Sequence, residues 1–174
     1  MCSRYFIRDE KGDQKEIRPS DHAPVMVWQD GRISLAWQRW GFTSEGRKLV
    51  MNARAESALE KPMFSESLMK RRLVIPAEGF YEWNPQKEKF LFTAENRTLY
   101  MAGFCRWEGE EWHFCILTTK ANASVEPVHP RMPLILREDQ VEDWLKNEEK
   151  LREFLKQEPE PLKREASYEQ LSLF

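Results

Sequence analysis

The sequence predicts a single α+β domain, built mainly from antiparallel sheets that form an open barrel, with a few helices. Three observations carry this. Short β-type runs punctuated by Gly, Pro, Asp and Glu follow one another up to about residue 136. Strands and helices do not alternate in a βαβ rhythm. A chain of 174 residues, 41% hydrophobic and 12% aromatic, is long enough to fill one core.

The predicted strands cover residues 2–8, 23–29, 32–42, 48–54, 72–83, 89–94, 99–107, 112–119 and 133–136. Glu108-Gly-Glu-Glu111, between two aromatic runs, predicts a hairpin loop. A helix is expected after Asn52, over roughly 55–70, with Pro62 breaking it or starting a second short helix. The clearest helical pattern runs over 138–157 and places Val141, Trp144, Leu145, Leu151, Phe154 and Leu155 on one stripe. Beyond Gln157 the chain is polar and charged and carries two prolines before ending in QLSLF. The folded domain is therefore expected over 1–157 and a flexible tail over 158–174.

The formal charge of -2 supplies no overall field for a polyanion. Residues 137–174 carry 7 Lys/Arg against 11 Asp/Glu, leaving residues 1–136 with a small positive excess. Any nucleic-acid site would need a local basic groove in that first part. Three cysteines without Cys-x-x-Cys spacing, no signal peptide and no long apolar run point to a reducing, cytoplasmic setting and no membrane. His22, His113 and His129 lie far apart without helical pairing, so neither a metal nor another cofactor is expected. A monomer is expected.

Cys2 directly follows the initiator. A small side chain in that position permits methionine excision, which would expose a free α-amine of pKa ~8 beside a thiol of pKa ~8.5. Such a 1,2-aminothiol captures an aldehyde: the amine forms an imine and the thiol closes a five-membered thiazolidine. Position alone favours a plainer reading, a small residue opening an edge strand.

The surrounding blocks bear on that choice. Cys2-Ser-Arg4-Tyr5, Trp40-Gly41, Asn52-Ala-Arg54-Ala-Glu56, Pro76-Ala-Glu-Gly-Phe-Tyr-Glu82-Trp83 and His129-Pro-Arg131-Met-Pro133 together resemble the SRAP family, the SOS-response-associated peptidase or abasic-site processing proteins. The blocks stand in the family's order and span residues 2 to about 136. The family commonly has Gly after the cysteine, where this chain has Ser3.

The resemblance implies a DNA-protein crosslinking, lyase-like activity, in which Cys2 captures abasic sites in single-stranded DNA and shields them during replication-coupled repair. Removal of Met1 would be an autopeptidase step. His129 is the candidate for donating a proton to the sugar ring oxygen as the hemiacetal opens; alone it would read as a turn histidine. Glu82 is the candidate general acid/base, its pKa raised among Phe80, Tyr81 and Trp83. Glu78 lies an even number of residues away, so strand periodicity does not choose between them; the family match selects Glu82. Asn52 supplies a donor and an acceptor for orienting Cys2 and the opened sugar, and the same residue is expected to suit a helix N-cap, the two roles being compatible. Arg4, Arg54 and Arg131 are candidate phosphate contacts, each alone an ordinary surface residue. Trp40 and Gly41, with Trp83, are candidate contacts to the strand, although most of the 7 tryptophans must lie in the core.

Gln170, Leu171, Leu173 and Phe174 resemble the bacterial sliding-clamp-binding pentapeptide, on a linker suited to fly-casting. The alternative is docking of these apolar residues on their own domain. Two other functional classes use the same residues: an N-terminal-nucleophile peptidase or amidase, and a clamp-tethered, non-enzymatic single-strand-binding adaptor.

Overall fold

A computed structural model describes residues 2–167. In chain order the first strands are β1 (Arg4–Arg8), β2 (Gln14–Ile17), β3 (His22–Gln29), β4 (Arg32–Trp40), β5 (Phe42–Thr43), β6 (Leu49–Val50) and β7 (Asn52–Arg54). The helix α1 (Ser65–Lys70) precedes β8 (Arg72–Ala77), β9 (Gly79–Trp83), β10 (Lys89–Thr93), β11 (Leu99–Glu108) and β12 (Glu111–Lys120). Then come β13 (Arg131–Pro133), β14 (Ile135–Leu136), the short helices α2 (Val141–Lys146) and α3 (Leu151–Phe154), and β15 (Lys163–Ala166).

The strands build two main layers. One is a five-stranded antiparallel sheet in the order β15-β10-β9-β1-β2. In the other, β12 pairs antiparallel with β11 and parallel with β4, while β4, β3, β8 and β11 pair in succession. That double pairing of β12 closes a five-stranded barrel, where the sequence predicts an open one. Closure joins the two edges of the sheet where His113 and Phe114 pair with Arg39 and Trp40.

Both faces of β8, β11 and β12 are largely buried. Leu73 and Ile75 of β8, Met101 of β11, and Phe114 and Ile116 of β12 join Tyr5, Ile17, Phe80 and Phe92 of the five-stranded sheet in one core. Val74, Phe104, Cys115 and Leu117 face the other way, against Phe64, Leu68, Trp144 and Phe154 near the helices. This explains why these strands read as continuous apolar runs instead of alternating ones. β8 and β9 belong to different layers, and the chain passes between them at Glu78, whose N–H donates to the Phe6 carbonyl at 2.9 Å.

The break expected at Pro62 is found, and two other expectations are corrected. The helix expected over 55–70 is a 3-10 turn at Ala58–Glu60 followed by α1, with Pro62 between them, because proline cannot continue the hydrogen-bond ladder. The helix expected over 138–157 is interrupted at Asn147, whose backbone is extended (φ -100, ψ 94). Its whole apolar stripe is nonetheless buried, so tertiary packing keeps the periodic face without a continuous helix. The segment from 158 is docked at least to Ser167. β15 pairs with β10, and the Asn122 amide donates to the carbonyls of Pro159 and Glu160 at 2.9 and 3.1 Å. A main-chain ladder needs no apolar side chains, so this polar strand is invisible to periodicity, as is the equally polar β2. Residues 168–174, including Gln170, Leu171, Leu173 and Phe174, lie outside the described residues.

Among the described residues no helix is long and apolar enough to cross a membrane. Barrel packing leaves no room at Gly103, where an added Cβ would stand 2.5 Å from the Cys115 carbonyl oxygen and 2.7 Å from Ile75 Cδ1. Gly103→Ala is therefore expected to destabilise the domain by about 1–3 kcal/mol. In a thermal melt this lowers Tm by roughly 2–4 °C per kcal/mol; an unchanged Tm would show that the barrel accommodates a methyl group there.

Candidate active site

Cys2, Asn52, Glu82 and His129 come from four separate stretches of chain and meet at the seam between the sheet and the barrel. Cys2 lies just before β1 and is fully buried. Asn52 opens β7, held in parallel register opposite Ile116 of β12, and its Nδ2 donates to the Cys2 carbonyl at 2.9 Å. The helix-cap reading of Asn52 is thereby corrected: a strand ladder takes Asn52–Arg54, and helical turns begin only at Ala58. The Asn52 Oδ1 is buried and has no hydrogen-bond partner among the described residues. An acceptor therefore remains beside Cys2.

Glu82 is only 2% exposed. It pairs with Phe90 in the ladder and sits on the inward face of β9 with Phe80, while Tyr81 and Trp83 face outward. Burial is the largest cause that raises its pKa, and His129 works against it. The change of layer at Glu78 resolves the choice that strand parity leaves open. Glu78 is half-buried at the crossing, and Glu82 is the one carried into the seam.

His129 Nδ1 lies 4.0 Å from Glu82 Oε1. The same nitrogen is 3.1 Å from the Arg131 N–H nitrogen and 3.0 Å from the Arg131 carbonyl oxygen. A neutral ring with its proton on Nε2 accepts from that N–H; a protonated ring donates to that carbonyl. Both protonation states are thus held in one orientation, as a group that exchanges protons requires.

The thiol of Cys2 is pushed well above its ordinary value, first by burial and then by the Glu82 charge. It is held as a thiol and not as a thiolate. Beneath it, Tyr5 and Trp40 pack edge to face with centroids 5.2 Å apart. Trp40 Nε1 donates to the Met51 carbonyl at 3.0 Å, fixing the backbone just before Asn52. Tyr5 is fully buried, its hydroxyl has no hydrogen-bond partner among the described residues, and burial followed by Cys2 raises its pKa. Tyr5 stands in the Cys-Ser-Arg-Tyr block, yet nothing in its spacing reveals that its ring forms the floor of the site.

The DNA-contact candidates divide. Trp40 is fully buried and stacked on Phe114, so it supports the site and presents no face to a base. Gly41 is also buried: its N–H donates to the Phe114 carbonyl at 2.8 Å, its carbonyl lies 2.7 Å from His113 Nδ1, and its φ is +113. Arg131 binds both Glu56 oxygens at 2.7 and 2.9 Å and the Thr118 carbonyl at 2.8 Å. It therefore braces the His129 loop against the segments after β7 and in β12, and its charge is already matched. Glu56, brought below its ordinary pKa chiefly by the Arg131 hydrogen bonds, stands in its sequence block without an assigned role. Arg54 is exposed on the same strand face as Asn52. Arg4 lies 5.3 Å over the Trp83 ring and 3.6 Å from Glu16, on the outward face of the sheet. Ser3 takes the place of the commoner glycine without a left-handed backbone. A cleft of about 750 Å³ lined by Arg97, Tyr100, Arg137 and Glu160 includes none of the four central residues.

A family profile described as SOS response associated peptidase (SRAP) matches residues 1–172. The chain belongs to the SRAP family. It is 31% identical over 145 residues to "Abasic site processing protein YoqW" of Bacillus subtilis, an alignment covering 74% of this chain and 65% of that protein. It is 26% identical over 142 residues to "Abasic site processing protein YedK" of Escherichia coli, covering 76% and 64%. The chain thus spans somewhat less than two thirds of the length of these relatives. A crystal structure of a Bacteroides thetaiotaomicron protein superposes with a TM-score of 0.75 at 28% identity, covering 92% of this chain and 79% of that one. A Bordetella bronchiseptica structure at 22% identity shares the fold with a TM-score of 0.81 and covers 96% and 100%.

The buried carboxyl of Glu82 has a consequence for stability. It binds a proton more tightly in the folded chain than in the unfolded one, so folding stability falls as pH rises from the ordinary carboxylate value of ~4.3 through the raised one. Glu82→Gln lacks this dependence. In urea melts the variant is expected to gain on the wild type as pH rises through that window, with the difference constant below it. Parallel stabilities across the whole window would contradict a raised Glu82 pKa.

Proposed function

We propose that this SRAP-family chain captures the aldehyde of an abasic site in single-stranded DNA through Cys2, as a stable thiazolidine. The convergence of Asn52, Glu82 and His129 on a buried Cys2 carries the reading; the names of the relatives support the substrate class. Removal of Met1 frees the Cys2 amine. His129 donates a proton to the ring oxygen as the sugar opens. The amine adds to the aldehyde, and Glu82 carries the protons as water leaves and the imine forms. The Cys2 sulfur then bonds to the former aldehyde carbon and its proton passes to the nitrogen, so the net change is loss of one water.

A thiol kept protonated by burial suits this order, because the sulfur acts second, on an imine already beside it. It suits a peptidase less well, since acyl transfer begins with a thiolate. Arg54 and Arg4 are the candidate phosphate contacts that remain, with Trp83 beside Arg4. We also infer, from the pentapeptide alone, that Gln170, Leu171, Leu173 and Phe174 engage a sliding clamp.

Closure of the ring removes the iminium that drives strand cleavage. On denaturing gels, the mature protein is expected to form a covalent band with single-stranded DNA carrying one abasic site, and hydroxylamine capping of the aldehyde abolishes it. Cys2→Ser is expected to leave only a labile imine with some strand cleavage. An undiminished stable band with Cys2→Ser would rule out the thiazolidine. Peptide-ester turnover without DNA would favour the amidase, and purely reversible binding the adaptor.

A further inference from the structure

The outer edge of β4 is the feature that neither the barrel nor the site uses. β3 and β4 form a hairpin joined by Asp30-Gly31, both with positive φ (52 and 76), and Gln29 is paired with Arg32. A two-residue turn of this kind makes its flanking pair a hydrogen-bonded one. Alternation then directs the N–H and C=O of Arg32, Ser34 and Ala36 toward β3, and those of Ile33, Leu35 and Trp37 outward. β12 covers that edge only opposite Arg39 and Trp40. Ile33, Leu35 and Trp37 are also exposed, at 39%, 69% and 62%. Their side chains share a face with Pro24, Met26 and Trp28 of β3, and Met26 and Trp28 pack against the core beneath the helices. An apolar stripe thus runs out of the core onto an unpaired main-chain edge.

The edge strands of the five-stranded sheet are blunted. β2 presents Gln14, Lys15 and Glu16, and β15 presents Lys163, Arg164 and Glu165. Charges on edge strands are the usual protection against unwanted pairing, and β4 lacks it between Arg32 and Arg39.

We propose that this edge is an interface on which a second copy of the chain adds its own β4, antiparallel, about a two-fold axis beside Ser34. The β4 sequence is self-complementary in that register. Ile33 of each copy falls opposite Leu35 of the other, an apolar pair on one face. Trp37 falls opposite Gly31, where the missing side chain leaves room for the indole. The new ladder runs over Arg32–Ala36 of each copy and stops short of Arg39, which stays with β12 and Glu111. The outward main-chain groups of Ile33 and Leu35 pair reciprocally, as an isologous two-fold contact requires. The assembly is a dimer in place of the monomer expected from sequence.

The test is sedimentation of the purified chain over a concentration series. The wild type is expected to shift from monomer to dimer as concentration rises. Leu35→Lys, at a position exposed enough to leave folding intact, is expected to raise the dimer dissociation constant roughly tenfold or more, equivalent to at least ~1.4 kcal/mol. Leu49→Lys, at an exposed apolar position elsewhere, is expected to leave it unchanged. Ser34→Cys tests the register. The two-fold axis makes residue 34 face itself in a non-hydrogen-bonded pair, whose ~4.5 Å Cα separation admits a disulfide. Cys2, Cys105 and Cys115 are all buried, so an oxidised Ser34→Cys chain should give a covalent dimer that the wild type does not. A chain that stays monomeric at every concentration would overturn the proposal. So would a dimer that ignores Leu35→Lys and gives no disulfide with Ser34→Cys, or an edge that only an unrelated extended peptide fills.

Discussion

A carboxylate buried beside a buried thiol is the constraint on which the rest of the site depends. Removing Glu82 from water raises its pKa, and its charge in turn raises that of Cys2. Neither group would hold its place in a loose structure, because an ionised carboxyl gains far more from solvation than from an apolar seam. The chain surrounds the pair with parts that cannot easily move. Glu82 is locked in the β9–β10 ladder, Asn52 is held by β12, and the Trp40 indole fixes the carbonyl of Met51. His129 is the most mobile in principle, being on a loop, and there the double hydrogen bond between Arg131 and Glu56 takes over.

This explains why the site sits between layers and not within one. The barrel supplies Asn52 and anchors the His129 loop, and the five-stranded sheet supplies Glu82 and the strand that follows Cys2. Glu78 marks the point where one chain segment serves both, so β8 can line the barrel while β9 carries its acid into the seam. Part of the aromatic content that suits stacking on bases serves this seam instead. Trp40 is a floor, and so is Tyr5.

Much of the fold is legible in the sequence because burial on one or both faces writes itself into apolar runs. Nearly every such run is a strand, including the β11–β12 hairpin closed at Gly109. The polar strands β2 and β15 are illegible because a ladder is made by main-chain groups, which leave no mark in composition. Barrel closure is illegible too, since the parallel contact between β4 and β12 joins residues far apart in sequence. Of the site, the four central residues follow from the family resemblance, and the structure brings them together. What spacing alone does not tell is the direction each neighbour faces: that Arg131 turns inward to Glu56 and that Trp83 stands on the opposite sheet face from Glu82.

In the proposed capture, both the amine and the sulfur of Cys2 end up bonded to one carbon of the sugar. Intact-mass measurement of the DNA adduct before and after borohydride treatment tests it most directly. A thiazolidine has the mass of mature protein plus abasic DNA less one water, and borohydride leaves it unchanged. An adduct that takes up hydride and becomes stable only then is an imine, and would contradict the account.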